Sequence, residues 1–122
     1  MATIVFSSPD GAELTQLKVE IAQSQAEKET GLSSRRSLAP GAGFYLQSRP
    51  AAPARLWMRD ALIALDIVFI GVDNVVTGVI QAAPPGGERM YWSPGFVSGV
   101  VELTAGDAAR LRLTAGARIE WT

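Results

Sequence analysis

The sequence predicts a mainly β fold at the margin of the α+β class, a compact β-sandwich or squashed barrel with two short flanking helices. Many short segments rich in β-branched and aromatic residues are separated by Gly, Pro and Asp turn signals. Only two short segments carry helix-capping patterns. The 122 residues contain no internal repeat and suit one domain, residues 1–122.

The chain opens with two predicted strands, residues 4–6 and 14–22, joined by a Pro-Asp-Gly turn at residues 9–11. A helix of about two turns is predicted next, because Ser24 and Glu27 have the spacing of a capping box. The first helix therefore follows an N-terminal hairpin.

Pro and Gly residues divide the next region into short pieces. A strand at residues 44–46 is expected between a loop at 40–43 and a second loop marked by Pro50 and Pro53, and another strand follows at 55–58. This part of the chain is thus predicted to contain short strands separated by loops.

A tight hairpin is predicted around Asp73-Asn74, since Asn accepts positive φ and the flanking runs 67–70 and 75–80 are β-branched. Residues 82–96 are interpreted as a long loop that carries aromatic side chains. The C-terminal elements are a strand at 97–103, a short helix capped by Thr104 that runs through Arg110, and a strand at 117–121.

One carboxylate, Asp66, lies in a stretch that is apolar on both faces of a period-2 strand. Asp66 is therefore predicted to be buried, and an ionised buried carboxylate needs a cation or a set of N–H donors beside it. Arg outnumbers Lys nine to two, and guanidinium suits bidentate pairing with carboxylates. We expect an arginine partner.

The chain contains no Cys and no His. A Ser-His-Asp triad, a thiol nucleophile and a Cys/His zinc site are therefore excluded. A formal net charge of −1 gives no general attraction to nucleic acid, which is not an expected partner. No apolar run approaches the roughly 18 residues of a spanning helix, so a soluble chain is expected. Compartment and oligomeric state stay open.

Over about residues 19–121, several short motifs and their order along the chain resemble those of the domain of unknown function 192 family. These motifs are Gly31-Leu32, Trp57-Met58-Arg59, Leu65-Asp66-Ile67, Pro84-Pro85 and Val101-Glu102-Leu103. The resemblance implies a compact, mainly β fold with no established activity. It also implies a bacterial or archaeal protein that is often exported, which favours a periplasmic location.

Five residues match the characteristic polar and aromatic positions of that family: Arg35, Trp57, Arg59, Asp66 and Glu102. The chain also departs from the family pattern. Asp60, Ala61 and Ala64 stand where relatives usually have Asn, Thr and Pro. An activity that depends on those amide or hydroxyl groups would be lost here.

Asp66 and Glu102 form the one carboxylate pair considered as a catalytic acid and base. Two carboxyl groups can hydrolyse a glycoside if one is held protonated and their separation is suitable. The competing interpretation is a structural network in which Arg35 or Arg59 neutralises both acids. We favour the structural interpretation, so neither residue is assigned a catalytic role.

Three aromatic residues, Trp57, Tyr91 and Trp92, are candidates for a stacking platform for a sugar or another flat ligand. Arg59 and Asp60 would supply hydrogen bonds at its edge. A tryptophan in a strand is often a core residue, which is the alternative for Trp57. Trp92, in a predicted loop, is the better candidate for a contact surface.

Arg35, with its neighbour Arg36, is a further candidate for binding a phosphate or carboxylate. Neither a phosphate-binding loop nor an Asp-x-Asp metal ladder occurs, so no metal and no cofactor are expected. The sequence favours a non-catalytic module that binds a small ligand or an envelope component. The alternatives are a carboxylate-based hydrolase and a protein–protein interaction module that docks through its loop aromatics.

Overall fold

The computed structural model describes residues 2–22, 38–39 and 41–122. The described chain contains strands and one short helix. In chain order these are β1 (Ala2–Ser7), β2 (Glu13–Ala22), β3 (Ala42–Trp57), β4 (Leu65–Gly71), β5 (Val76–Ala83), β6 (Met90–Thr104), α1 (Asp107–Arg110) and β7 (Arg118–Trp121). The predicted mainly β fold is confirmed. Within these residues no helix is long and apolar enough to cross a membrane.

The strands form one sheet in the order β5-β4-β6-β3-β2-β1-β7. β2 and β3 pair in parallel, whereas the other neighbours are antiparallel. The sheet curls until its two outer strands approach each other at Val75 and Arg118, which form an isolated bridge. The Ile119 N–H donates to the Asn74 carbonyl at 2.9 Å, and the Val76 N–H donates to the Ala117 carbonyl at 2.8 Å.

A first core lies on the concave side of the curl, because all seven strands and α1 contribute side chains to it. Its largest fully buried members include Phe6, Leu17 and Leu103. A second core lies on the opposite face of β4 and β6 and contains Leu65, Ile67, Phe69 and Tyr91 among its members. β4 is buried along its whole length because it separates the two cores.

The predicted β4–β5 hairpin is confirmed. Asn74 in its turn has φ 62°, a positive value of the kind that Asn accepts. The N-terminal hairpin, the short C-terminal helix and the last strand are also present. The predicted helix after Ser24 and the binding candidate Arg35 lie outside the described residues.

The predictions of loops at Pro50–Pro53 and at residues 82–96 were wrong in part. β3 continues through both prolines to Trp57, and β6 begins at Met90. The pairing of β3 with β6 is irregular between Gln47 and Ala52, so Pro50 falls where no regular ladder requires its missing N–H.

Candidate functional site

The C-terminal half of β3 and the N-terminal half of β6 pair to form a two-stranded ribbon, residues 52–57 and 90–97. In this ribbon Arg55 lies opposite Trp92, and Trp57 lies opposite Met90. Paired residues point to the same face of a sheet, and successive residues alternate between faces. Arg55, Trp57, Met90 and Trp92 therefore share the outer face of the ribbon.

The inner face of the ribbon packs on the second core. Tyr91 is 6% exposed, and it lies opposite Leu56, which also contacts this core. Between Trp92 and Phe96 the β6 strand bulges, and the Ser93 hydroxyl accepts a hydrogen bond from the Ala54 N–H at 2.8 Å. The inner face and the bulge thus hold the ribbon on the protein without using its outer face.

The outer face exposes two tryptophans, with 47% of Trp57 and 60% of Trp92 accessible to solvent. They are diagonal neighbours across the ribbon, so their Cα atoms lie roughly 7–8 Å apart. Trp57 is therefore an exposed strand residue and not the core residue that the alternative interpretation predicted. An exposed pair of indole rings on an ordered strand is unusual, because tryptophan gains a large free energy from burial.

Each of these tryptophans carries an arginine on its ring. The guanidinium carbon of Arg59 lies 5.0 Å from the centre of the Trp57 ring, and that of Arg55 lies 5.7 Å from the centre of the Trp92 ring. Both distances allow a cation–π interaction. Neither arginine forms an ion pair with a described residue. No carboxylate of the described residues therefore occupies their N–H donors.

Tyr91 does not join this platform. It neighbours Trp92 in the strand and so points to the inner face, where Arg89 stacks on its ring at 5.0 Å. Asp60 is exposed in the turn that follows β3, in which the Ala61 N–H donates to the Met58 carbonyl. The structure thus brings together Trp57, Trp92 and Arg59 of the predicted residues.

The sequence interpretation missed Arg55. Its signal was its position two residues before Trp57, which in a strand places both side chains on one face. That signal was lost because the partner segment around Trp92 was interpreted as a loop.

Asp66 is buried, at 1% exposure, as its apolar surroundings predict. Its partners are backbone N–H groups. Asp66 Oδ1 accepts from Ala82 at 2.8 Å, and Oδ2 accepts from Gly106 at 3.0 Å and from Ala108 at 2.8 Å. The expected arginine is not among its partners in the described chain. Asp66 therefore joins a bulge of β5 to the start of α1.

The short helix α1 is also capped differently from the prediction. The Thr104 hydroxyl donates to the Leu38 carbonyl at 3.2 Å instead of capping the helix. Asp66, from a distant part of the sequence, accepts from the first N–H groups of the helix, where a negative charge is favoured.

Glu102 is buried on the side of the second core, at 8% exposure, between its cross-strand neighbours Phe44 and Ile67. Burial raises the pKa of Glu102 to about 7. Within the described part of the chain no group donates a hydrogen bond to its carboxyl. Glu102 thus differs from Asp66, whose charge is satisfied by three N–H donors.

The register of β4 and β6 keeps these two carboxyl groups apart. Asp66 lies opposite Leu103, and Glu102 lies opposite Ile67. Asp66 shares a face with the first core, whereas Glu102 shares a face with the second core. A sheet therefore stands between them, and they do not meet at one substrate. No cluster of three or more potential metal ligands occurs among the described residues.

Comparison with known proteins decides the family. The profile of the domain of unknown function 192 (DUF192), described as an uncharacterised ACR, matches residues 6–121. The chain belongs to the DUF192 family. The motifs around Trp57, Asp66 and Glu102 had predicted this membership. No curated protein matches this DUF192 chain with significance.

Two solved structures are similar to this DUF192 protein. One, from Sinorhizobium meliloti 1021, is described as a "putative transcription regulator"; it is 30% identical, has a TM-score of 0.92, and the match covers 98% of this chain and 92% of that one. The other is a protein of unknown function from Novosphingobium aromaticivorans, 31% identical with a TM-score of 0.91, and the match covers 98% of this chain and 84% of that one. Both share the mainly β fold.

Proposed function

We propose that this DUF192 protein is a non-catalytic binding module whose contact surface is the outer face of the β3–β6 ribbon. The ligand is a glycan chain of the cell envelope that lies on Trp57 and Trp92. The observation that carries the proposal is the exposure of both indole rings, 47% and 60%, on a strand pair whose opposite face packs on the second core.

Packing alone gives no reason for tryptophan at these two positions. The inner face already anchors the ribbon through Leu56 and Tyr91, so small polar side chains on the outer face would serve the fold equally well. Indole rings suit the apolar faces of sugar rings, and their rigidity keeps the entropy cost of binding low. The ribbon also presents them on ordered strands, which favours a preformed site.

The hydrolase alternative has less support. An acid–base pair needs both carboxyl groups within reach of one bond. Asp66 and Glu102 face opposite sides of the sheet, and Asp66 is already occupied by three N–H donors. We therefore propose binding without turnover.

The test is retention of the protein on insoluble cellulose, chitin and peptidoglycan sacculi, with Trp92→Ala as the variant. We expect the parent to be retained on at least one of them and Trp92→Ala to be lost from it at an unchanged melting temperature. Val72→Ala, which removes another exposed apolar side chain outside residues 52–57 and 90–97, is the control and should be retained. Equal retention of Trp92→Ala and parent, or no retention of the parent, would contradict the proposal.

A further inference from the structure

The charges of the ribbon indicate what kind of glycan it binds. Residues 52–60 and 90–97, which are the ribbon and the turn after β3, carry two arginines, Arg55 and Arg59, against one acid, Asp60. This region has a net charge of +1, although the whole chain has −1, so the remainder carries −2. The proposed contact surface is thus positive on a chain that is negative as a whole.

We propose that the ligand is an acidic polysaccharide, with Arg55 and Arg59 binding its carboxylates while its sugar rings lie on Trp57 and Trp92. This inference rests on the proposed function and specifies its ligand. Both arginines lack an ion pair with any described residue, and each is stacked on a different exposed tryptophan.

Stacking prepares the two guanidinium groups for a carboxylate. A guanidinium held against an indole ring loses part of its conformational freedom before the ligand arrives, and its edge keeps the N–H donors that suit a planar carboxylate. Part of the entropy that a long side chain loses on binding is therefore already lost in the free protein.

The order of side chains along the strand suits a polymer with repeated charges. Arg55 and Trp57 are two residues apart on one strand face, roughly 7 Å, and Arg59 lies over the Trp57 ring while Arg55 lies over the Trp92 ring. Two guanidinium groups and two indole rings therefore share one face of the ribbon. A polyuronate offers partners for both kinds of group, because each of its sugar rings carries one carboxylate.

A nucleic acid fits these charges less well. Domains that bind nucleic acid commonly have pI values above about 9, whereas this chain has a pI of about 5.4. An anionic membrane is usually recognised by clusters of about four to eight Lys and Arg, and the outer face offers only two stacked arginines.

The experiment compares polygalacturonate with its methyl ester, which has the same sugar backbone but no charge, by titration calorimetry. We expect the free acid to bind about tenfold more tightly than the ester, the amount expected from one charge-assisted contact. Arg55→Gln and Arg59→Gln should each lower the ratio of the affinity for the acid to the affinity for the ester. Arg118→Gln, the same change on β7, should behave like the parent.

Three results would overturn the inference. Equal binding of acid and ester, with Trp92→Ala still abolishing both, would refute the acidic ligand but leave the proposed function standing. Binding to no polysaccharide would refute both proposals. Tighter binding to single-stranded oligothymidylate or to phosphatidylglycerol vesicles than to polygalacturonate would assign the surface to a different ligand. Circular dichroism of each variant establishes that the fold is retained.

Discussion

At the scale of single residues, Asp66 shows what an apolar context can predict and what it cannot. A carboxylate between apolar neighbours on both faces of a strand has to be buried and has to be satisfied, and both expectations hold. Whether a cation or a backbone N–H group satisfies the carboxylate depends on which distant N–H groups form no hydrogen bond of their own within the sheet or helix. Here a β5 bulge and a helix start supply N–H groups, and no pattern around Asp66 could identify them.

Asp66→Asn should lower the free energy of unfolding by about 3 kcal/mol, because an amide loses charge-assisted bonds and turns its own N–H₂ group toward N–H donors. Urea denaturation at neutral pH measures the change. Asp60→Asn makes the same substitution at an exposed carboxylate and should alter stability by less than about 0.5 kcal/mol. If both variants were equally stable, the assignment of Asp66 as an anchor of β5 and α1 would be wrong.

Glu102 should make stability depend on pH. Its pKa is raised from the ordinary 4.5 to about 7 by burial, so the folded chain binds a proton that the unfolded chain has released. The resulting stabilisation is complete below about pH 4.5 and is lost as the pH rises to about 7. Glu102→Gln keeps a neutral group in place and should remove this loss, on the order of 3 kcal/mol.

The measurement is urea denaturation of parent and Glu102→Gln at pH values from about 4 to about 8. The difference between them should grow across this range in favour of the variant and then level off. Glu120→Gln, at an exposed position of β7, should follow the parent throughout. A constant difference between parent and Glu102→Gln would mean that Glu102 has the same pKa in the folded and the unfolded protein, contrary to the effect of burial.

At the scale of elements, the sequence predicts a strand best where the residues on both of its faces are apolar. β4 is apolar throughout and its hairpin carries an unambiguous turn, so its type and approximate bounds were predictable. β3 and β6 were partly missed, because Pro50, Pro53 and Gly95 are strong local turn signals. Their long-range pairing outweighs those signals and confines the disruption to two irregular points in the ladder.

The candidate site was predicted by residue type more than by geometry. Trp92 and Arg59 were selected because exposed aromatic and cationic side chains suit recognition. Tyr91 was grouped with them although it neighbours Trp92, a choice that is consistent only with a loop. Because residues 90–97 belong to a strand, successive side chains point to opposite faces, so Tyr91 and Trp92 lie on opposite sides of the ribbon. Arg55 is paired with Trp92 and therefore lies on the outer face with it.

At the scale of the whole molecule, one core couples the two ends of the chain. β1, β2 and β7 contribute side chains to the same cluster as β4, β5 and β6, and the sheet closes on itself through backbone bonds between residues 74–76 and 117–119. Individual strands could be predicted from local sequence patterns. Closure of the sheet could not be predicted in this way, because it joins segments more than 40 residues apart. A shared core of this kind favours cooperative unfolding of all strands together.

Ile119 tests this coupling, since it is 4% exposed, lies in the short last strand and belongs to the shared core. Ile119→Ala leaves a cavity and should lower the free energy of unfolding by about 2–4 kcal/mol. The loss should be felt by the whole molecule, so far-ultraviolet circular dichroism and tryptophan fluorescence should give the same urea midpoint. Glu120→Ala, on the exposed face of the same strand, should change stability by less than about 0.5 kcal/mol. Divergent midpoints for Ile119→Ala would instead mean that β7 separates from the sheet on its own, and the curled sheet would then not be a single cooperative unit.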